Sequence, residues 1–76
     1  MAEIDRIRWQ CRRGLLELDL VLSRFLEQEL PGLEPGQVQV FKELLTEADT
    51  QLLAWVMAQE AVPDRYDFLV RKLQQV

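Results

Sequence analysis

Apolar residues recur along this chain at intervals of three and four, and nowhere alternate with period two for long enough to build a strand. The spacing predicts a first helix with Ile4, Ile7 and Cys11 on one face, ended by Gly14, which can take the left-handed conformation. A second helix is expected from about Leu15 to Leu30. Leu15, Leu18, Leu22, Phe25, Leu26 and Leu30 form its apolar stripe. "LPGLEPG", residues 30–36, breaks the pattern with two prolines and two glycines. Pro35 suits the first position of a third helix, which carries Val38, Phe41, Leu44 and Leu45. Asp49 is the expected N-cap of a fourth helix with Leu52, Leu53, Trp55 and Val56. "AVPD" breaks again, and Asp64 is expected to cap a fifth helix bearing Tyr66, Leu69, Val70 and Leu73. The expected fold is all-α, a small five-helix bundle forming one domain over residues 1–76.

Composition narrows what such a bundle can do. A chain of 76 residues builds one small core, burying about 60% of its unfolded surface. Histidine is absent. A Ser-His-Asp triad, a His-ligated metal and a histidine general base are therefore excluded within this chain. The single cysteine, Cys11, rules out an internal disulfide and suits a reducing cytosol. The longest apolar run, residues 52–58, is far short of the roughly 20 residues that cross a bilayer. No signal or transit peptide is visible, so a cytoplasmic location without membrane insertion is expected.

Charge is unevenly spread. Residues 1–13 hold four arginines against two acids, a balance of +2, which leaves −6 on the remainder of a chain of net charge −4. An acidic body repels nucleic acid. A DNA-reading corner is also disfavoured by Glu17, Asp19, Glu27 and Glu29 on the second helix. The basic N-terminal segment suits a protein partner with an acidic surface. No glycine-rich phosphate loop is present, since "PGLEPG" carries Glu34 and lacks a following Lys-Ser/Thr.

The candidate chemistry gathers at the first corner. At 100° per residue, Arg6, Trp9 and Arg13 fall roughly opposite Ile4, Ile7 and Cys11. An aromatic between two arginines has interface composition. The alternative is that Trp9 packs on a neighbouring helix with arginines covering its edges. Arg12, Arg13, Gly14 and Glu17 also have a purely structural reading, because cations suit a helix C-terminus and an acid suits the next helix's first turn. Glu17 shares a side with Arg24 and Gln28 and is expected to be exposed. Asp19 falls inside the apolar stripe and needs a structural bond, to Arg12, a helix N-terminus or the Tyr66 hydroxyl. Cys11 has core spacing, and would become a reactive thiol only if exposed beside the arginines. No catalytic constellation surrounds any of these residues.

"WQCRRGLLELDLVLSRF", residues 9–25, closely resembles the signature of the small succinate dehydrogenase assembly factors, also called flavinylation factors. That signature is an aromatic, a basic pair and an Arg-Gly-x-x-Glu motif followed by Leu-Asp. Here the motif is Arg13-Gly14-Leu15-Leu16-Glu17, followed by Leu18-Asp19. "FKELLTEADTQLLAWVM", residues 41–57, resembles the family's second half. Two features depart from it: Thr50 follows Asp49 where many relatives have proline, and the chain stops at Val76 without the basic tail of some relatives. The resemblance implies a five-helix fold and a non-enzymatic, chaperone-like role. The family promotes covalent attachment of FAD to a histidine of the succinate dehydrogenase flavoprotein subunit and, in some bacteria, of fumarate reductase. FAD would then belong to the partner, with no cofactor or metal held stably by this chain. The implied partner-binding residues are Arg13, Gly14 and Glu17, extended by Arg12, Trp9 and Arg6. The competing classes are a generic helical adaptor without a role in flavinylation, an independent flavin-binding protein and a DNA-binding corner.

Overall fold

Among the described residues five α-helices follow one another: α1 (Glu3–Gln10), α2 (Leu16–Gln28), α3 (Pro35–Leu44), α4 (Asp49–Val56) and α5 (Asp64–Gln75). A single 3₁₀ turn, Leu30–Gly32, joins α2 to α3. The computed structural model describes the backbone of residues 3–76 and the side chains of residues 5–76. Ile4, expected in the core, lies outside the described side chains. Among the described residues there is no strand, and no helix is long and apolar enough to cross a membrane.

The apolar spacing becomes burial. Leu18, Leu22 and Phe25 of α2 meet Phe41 and Leu44 of α3, Leu52 and Trp55 of α4, and Tyr66, Leu69, Val70 and Leu73 of α5 in one core. α5 packs against α2, α3 and α4, and α2 also packs against α4. The Phe25 and Phe41 rings lie 4.7 Å apart at the centre. Trp55 and Tyr66 pack tilted at 5.6 Å. Their polar ends are satisfied: the Trp55 indole N–H donates to the Ala61 carbonyl at 3.1 Å, and the Tyr66 hydroxyl donates to Glu47 while accepting from Arg65. Ile7 and Cys11 fix α1 to this core.

Several boundaries move for identifiable reasons. Pro35 takes the first position of α3 as expected, and the Glu34 N–H donates to the Gln37 side chain at 2.9 Å to close that end. α2 begins at Leu16 rather than Leu15, which is its N-cap and is partly exposed instead of core. Part of the expected break at residues 30–36 is the 3₁₀ turn, with Leu30 buried in it. Asp49 and Asp64 are not N-caps. Ala48 and Pro63 occupy those positions, and both acids stand as the first helical residue, where a carboxylate still favours the helix dipole.

Candidate functional site

The first corner is longer than a capped turn. α1 ends at Gln10, closed by Cys11 N–H to the Ile7 carbonyl at 3.0 Å and Arg12 N–H to the Trp9 carbonyl at 3.1 Å. Gly14 therefore does not terminate α1. It stands four residues further on, immediately before the α2 N-cap, with φ +86°. A Cβ there would meet nothing within 4 Å, so the backbone dihedral, and not crowding within the chain, calls for glycine.

Asp19 explains how that turn is held. Its carboxylate accepts the backbone N–H of Arg13 at 2.7 Å and of Gly14 at 3.3 Å. Its role is structural, as expected, but its donors are the corner's own amides and not Arg12, a helix N-terminus or Tyr66. From the first turns of α2 it reaches back over the N-cap and fixes the preceding loop.

Arg13 departs from the helical projection. Because α1 ends before it, its side chain turns inward and is only 16% exposed, instead of lying outside with Arg6 and Trp9. The guanidinium makes four bonds. Nε donates to Asp49 Oδ1 at 2.5 Å, Nη1 to the carbonyls of Leu45 at 2.7 Å and Gln10 at 3.1 Å, and Nη2 to the Glu47 carbonyl at 2.6 Å. One planar fork thus ties the end of α1 to the end of α3, the α3–α4 turn and the start of α4. Four of its five N–H donors are thus spent within the chain, which fixes the guanidinium behind the corner.

Cys11 is buried under the same corner. Burial pushes its thiol up to about 12. Arg13 pulls it down and Asp19 pushes it up, both less than burial does. The condition for a reactive thiol, exposure beside the arginines, is not met.

The remaining corner residues face solvent. Trp9 is 76% exposed, which overturns its packing against a neighbouring helix. Arg6, Arg12, Gly14 and Glu17 are exposed, and the side chains of Arg6, Arg12 and Glu17 make no hydrogen bond or ion pair among the described residues. Arg6 and Trp9 line one depression of about 480 Å³ with Asp5 and Gln10. Arg12 and Gly14 line a second, of about 510 Å³, between α1 and α2, with Arg8, Cys11, Asp19 and Ser23 on its walls. Glu17 lines neither. Sequence reasoning missed two members of this region. Leu16 is 75% exposed beside Glu17; it and Leu20 form an apolar pair four apart, off the core stripe, which was the available signal. Asp49, the counter-ion of Arg13, lies 36 positions away and carries no local signal.

The exposed face around this corner combines an aromatic, apolar side chains and both signs of charge, the composition common at protein interfaces. The family model described as flavinator of succinate dehydrogenase matches residues 5–76. The FAD assembly factor SdhE of Coxiella burnetii (strain RSA 493 / Nine Mile phase I) is 38% identical over 73 residues, which is 93% of this chain and 88% of that one. The FAD assembly factor SdhE of Legionella pneumophila (strain Lens) is 48% identical over 58 residues, covering 76% and 73% respectively. No solved structure matches the chain. With the family model matched over almost its whole length, this chain belongs to the flavinators of succinate dehydrogenase.

Proposed function

We propose that this chain binds the flavoprotein subunit of succinate dehydrogenase and promotes covalent attachment of FAD to a histidine of that subunit. The observation that carries the reading is the corner between α1 and α2. It presents Arg6, Trp9, Arg12, Gly14 and Glu17 to solvent while Arg13 and Asp19 hold it from within. The open space at Gly14 suits close approach of a partner's backbone. Arg6 and Arg12 offer forks to carboxylates or carbonyls, Glu17 accepts from a donor, and Trp9 with Leu16 supplies apolar contact. Arg13 belongs to this site as the residue that shapes it.

In this reading the helper performs no bond chemistry. FAD and the acceptor histidine belong to the partner, and this chain, lacking histidine, cannot carry the flavin in that linkage. Docking favours the partner conformation in which the reacting groups are aligned, and alignment alone can lower a barrier by several kcal/mol, of the ~7–11 kcal/mol available to well-oriented reactions. The work is placed in the bacterial cytoplasm, where an unpaired Cys11 is at home.

The test is in-gel flavin fluorescence of the denatured flavoprotein subunit, co-expressed with this chain, with Glu17→Ala, with Gly14→Asn, or with nothing. Asparagine tolerates positive φ but adds a side chain to the docking face. Fluorescence with the wild type, and its loss with both variants at unchanged melting temperature, is the expected result. Equal fluorescence in every lane would remove flavinylation from the reading and leave a helical adaptor.

A further inference from the structure

Residue 13 is bonded to all four of the first helices or their ends. Its N–H goes to Asp19 of α2, and its guanidinium goes to Gln10, Leu45, Glu47 and Asp49. Of the guanidinium's four acceptors, three are carbonyls and differ in kind from the fourth. Carbonyls satisfy hydrogen bonds but carry no formal charge, and the Asp49 carboxylate is the one counter-ion the guanidinium has among its described partners. A guanidinium this buried needs an anion, because in the low-dielectric interior an unpaired charge is driven toward water. The backbone amides of Arg13 and Gly14 are held by Asp19, so the side chain and the backbone of one residue are fixed by carboxylates on two different helices, and Gly14 with its positive φ follows directly on that residue.

We propose that Asp49 is a positioning residue for the docking corner, acting through the Arg13 guanidinium and not by touching the partner. The proposal rests on the reading of that corner as the docking face for the flavoprotein subunit. It makes the α3–α4 junction part of the functional device, although its contribution is to geometry. It also assigns the Arg of the Arg-Gly-x-x-Glu motif to the inside of the protein, with Gly14 and Glu17 on the outside.

The experiment measures affinity for the purified flavoprotein subunit well below each variant's melting temperature, using wild type, Asp49→Ala, Asp49→Asn, Arg13→Ala, the Arg13→Ala/Asp49→Ala double variant and Glu17→Ala. Amide chemical shifts of Gly14 and Glu17 are recorded in the free proteins. Asp49→Ala is expected to weaken binding about tenfold or more through lost preorganisation, and to move the Gly14 amide before any partner is present. Asp49→Asn, which keeps the acceptor but not the charge, should fall between Asp49→Ala and wild type, and serves if the alanine variant fails to fold. The double variant should bind no more weakly than Arg13→Ala alone, since one route carries both effects. The proposal is overturned if folded Asp49 variants bind as wild type with an unmoved Gly14 amide, or if the double variant loses the product of the two single effects. Should the wild type itself neither bind nor raise flavinylation, the assembly reading fails and this proposal with it. If Glu17→Ala loses binding while Asp49→Ala does not, the positioning role alone fails.

Discussion

The Cys11 thiol has a cation and an anion as neighbours, Arg13 and Asp19, yet its ionisation is governed by burial more than by either. The folded thiol titrates at about 12 against an ordinary 9.0, so between those values the unfolded chain releases a proton that the folded chain retains. The stability contributed by the neutral thiol is complete below pH 9 and declines as pH rises toward 12, by no more than ~1.4 kcal/mol per pH unit. Urea midpoints of wild type and Cys11→Ala at about pH 8 and about pH 10.5 check this. The wild type should lose more between the two, and parallel losses would contradict it. Iodoacetamide should label Cys11 only after unfolding. Asp19 shows the limit of reasoning residue by residue. Its position in the stripe announced a bonded carboxylate, but its donors are amides of a loop whose course no helical projection predicts.

At the scale of elements, helix ends are where local rules and long-range partners compete. α4 ends in a Schellman arrangement: Gln59 N–H bonds the Ala54 carbonyl at 2.8 Å and Ala58 N–H bonds that of Trp55 at 3.1 Å. The left-handed residue is Ala58, at φ +59°, where glycine is usual. Ala58→Gly should stabilise the protein by ~0.5–1 kcal/mol, since relief of the Cβ clash exceeds glycine's entropy cost. A lower denaturation midpoint for the variant would refute this. The start of α4 shows the opposite case. Asp49 looks like an N-cap in sequence, but its carboxylate is taken by Arg13 from another corner, and Ala48 holds the cap position instead.

For the whole molecule, one core gathers the buried apolar side chains of all five helices. A chain of this length has a total stability of roughly 4–11 kcal/mol. Phe41 is fully buried against Phe25, and Phe41→Ala should cost ~3–5 kcal/mol, enough to leave much of the population unfolded at moderate temperature. Trp9→Ala removes a larger ring, yet at 76% exposure it should stay within ~0.5 kcal/mol of wild type. Paired circular-dichroism melts separate the two. A large loss for Trp9→Ala would mean that the ring is part of the core and not of the docking face.

Periodicity alone determined the five helices and the buried members of α2 to α5, because a 3.6-residue repeat maps side chains onto faces wherever the helix continues. It also determined that Ile7 and Cys11 face inward and that Glu17 is exposed. That mapping fails where a helix stops. Arg13 was projected outward by extending α1 three residues too far, and the fold turned it inward. The exposure of Trp9 likewise depended on whether another helix covers it, which is a fact about packing and not about spacing. The Arg13–Asp49 pair joins positions 36 apart, and only the closing of α3 and α4 against the first corner brings that anion within reach of that cation.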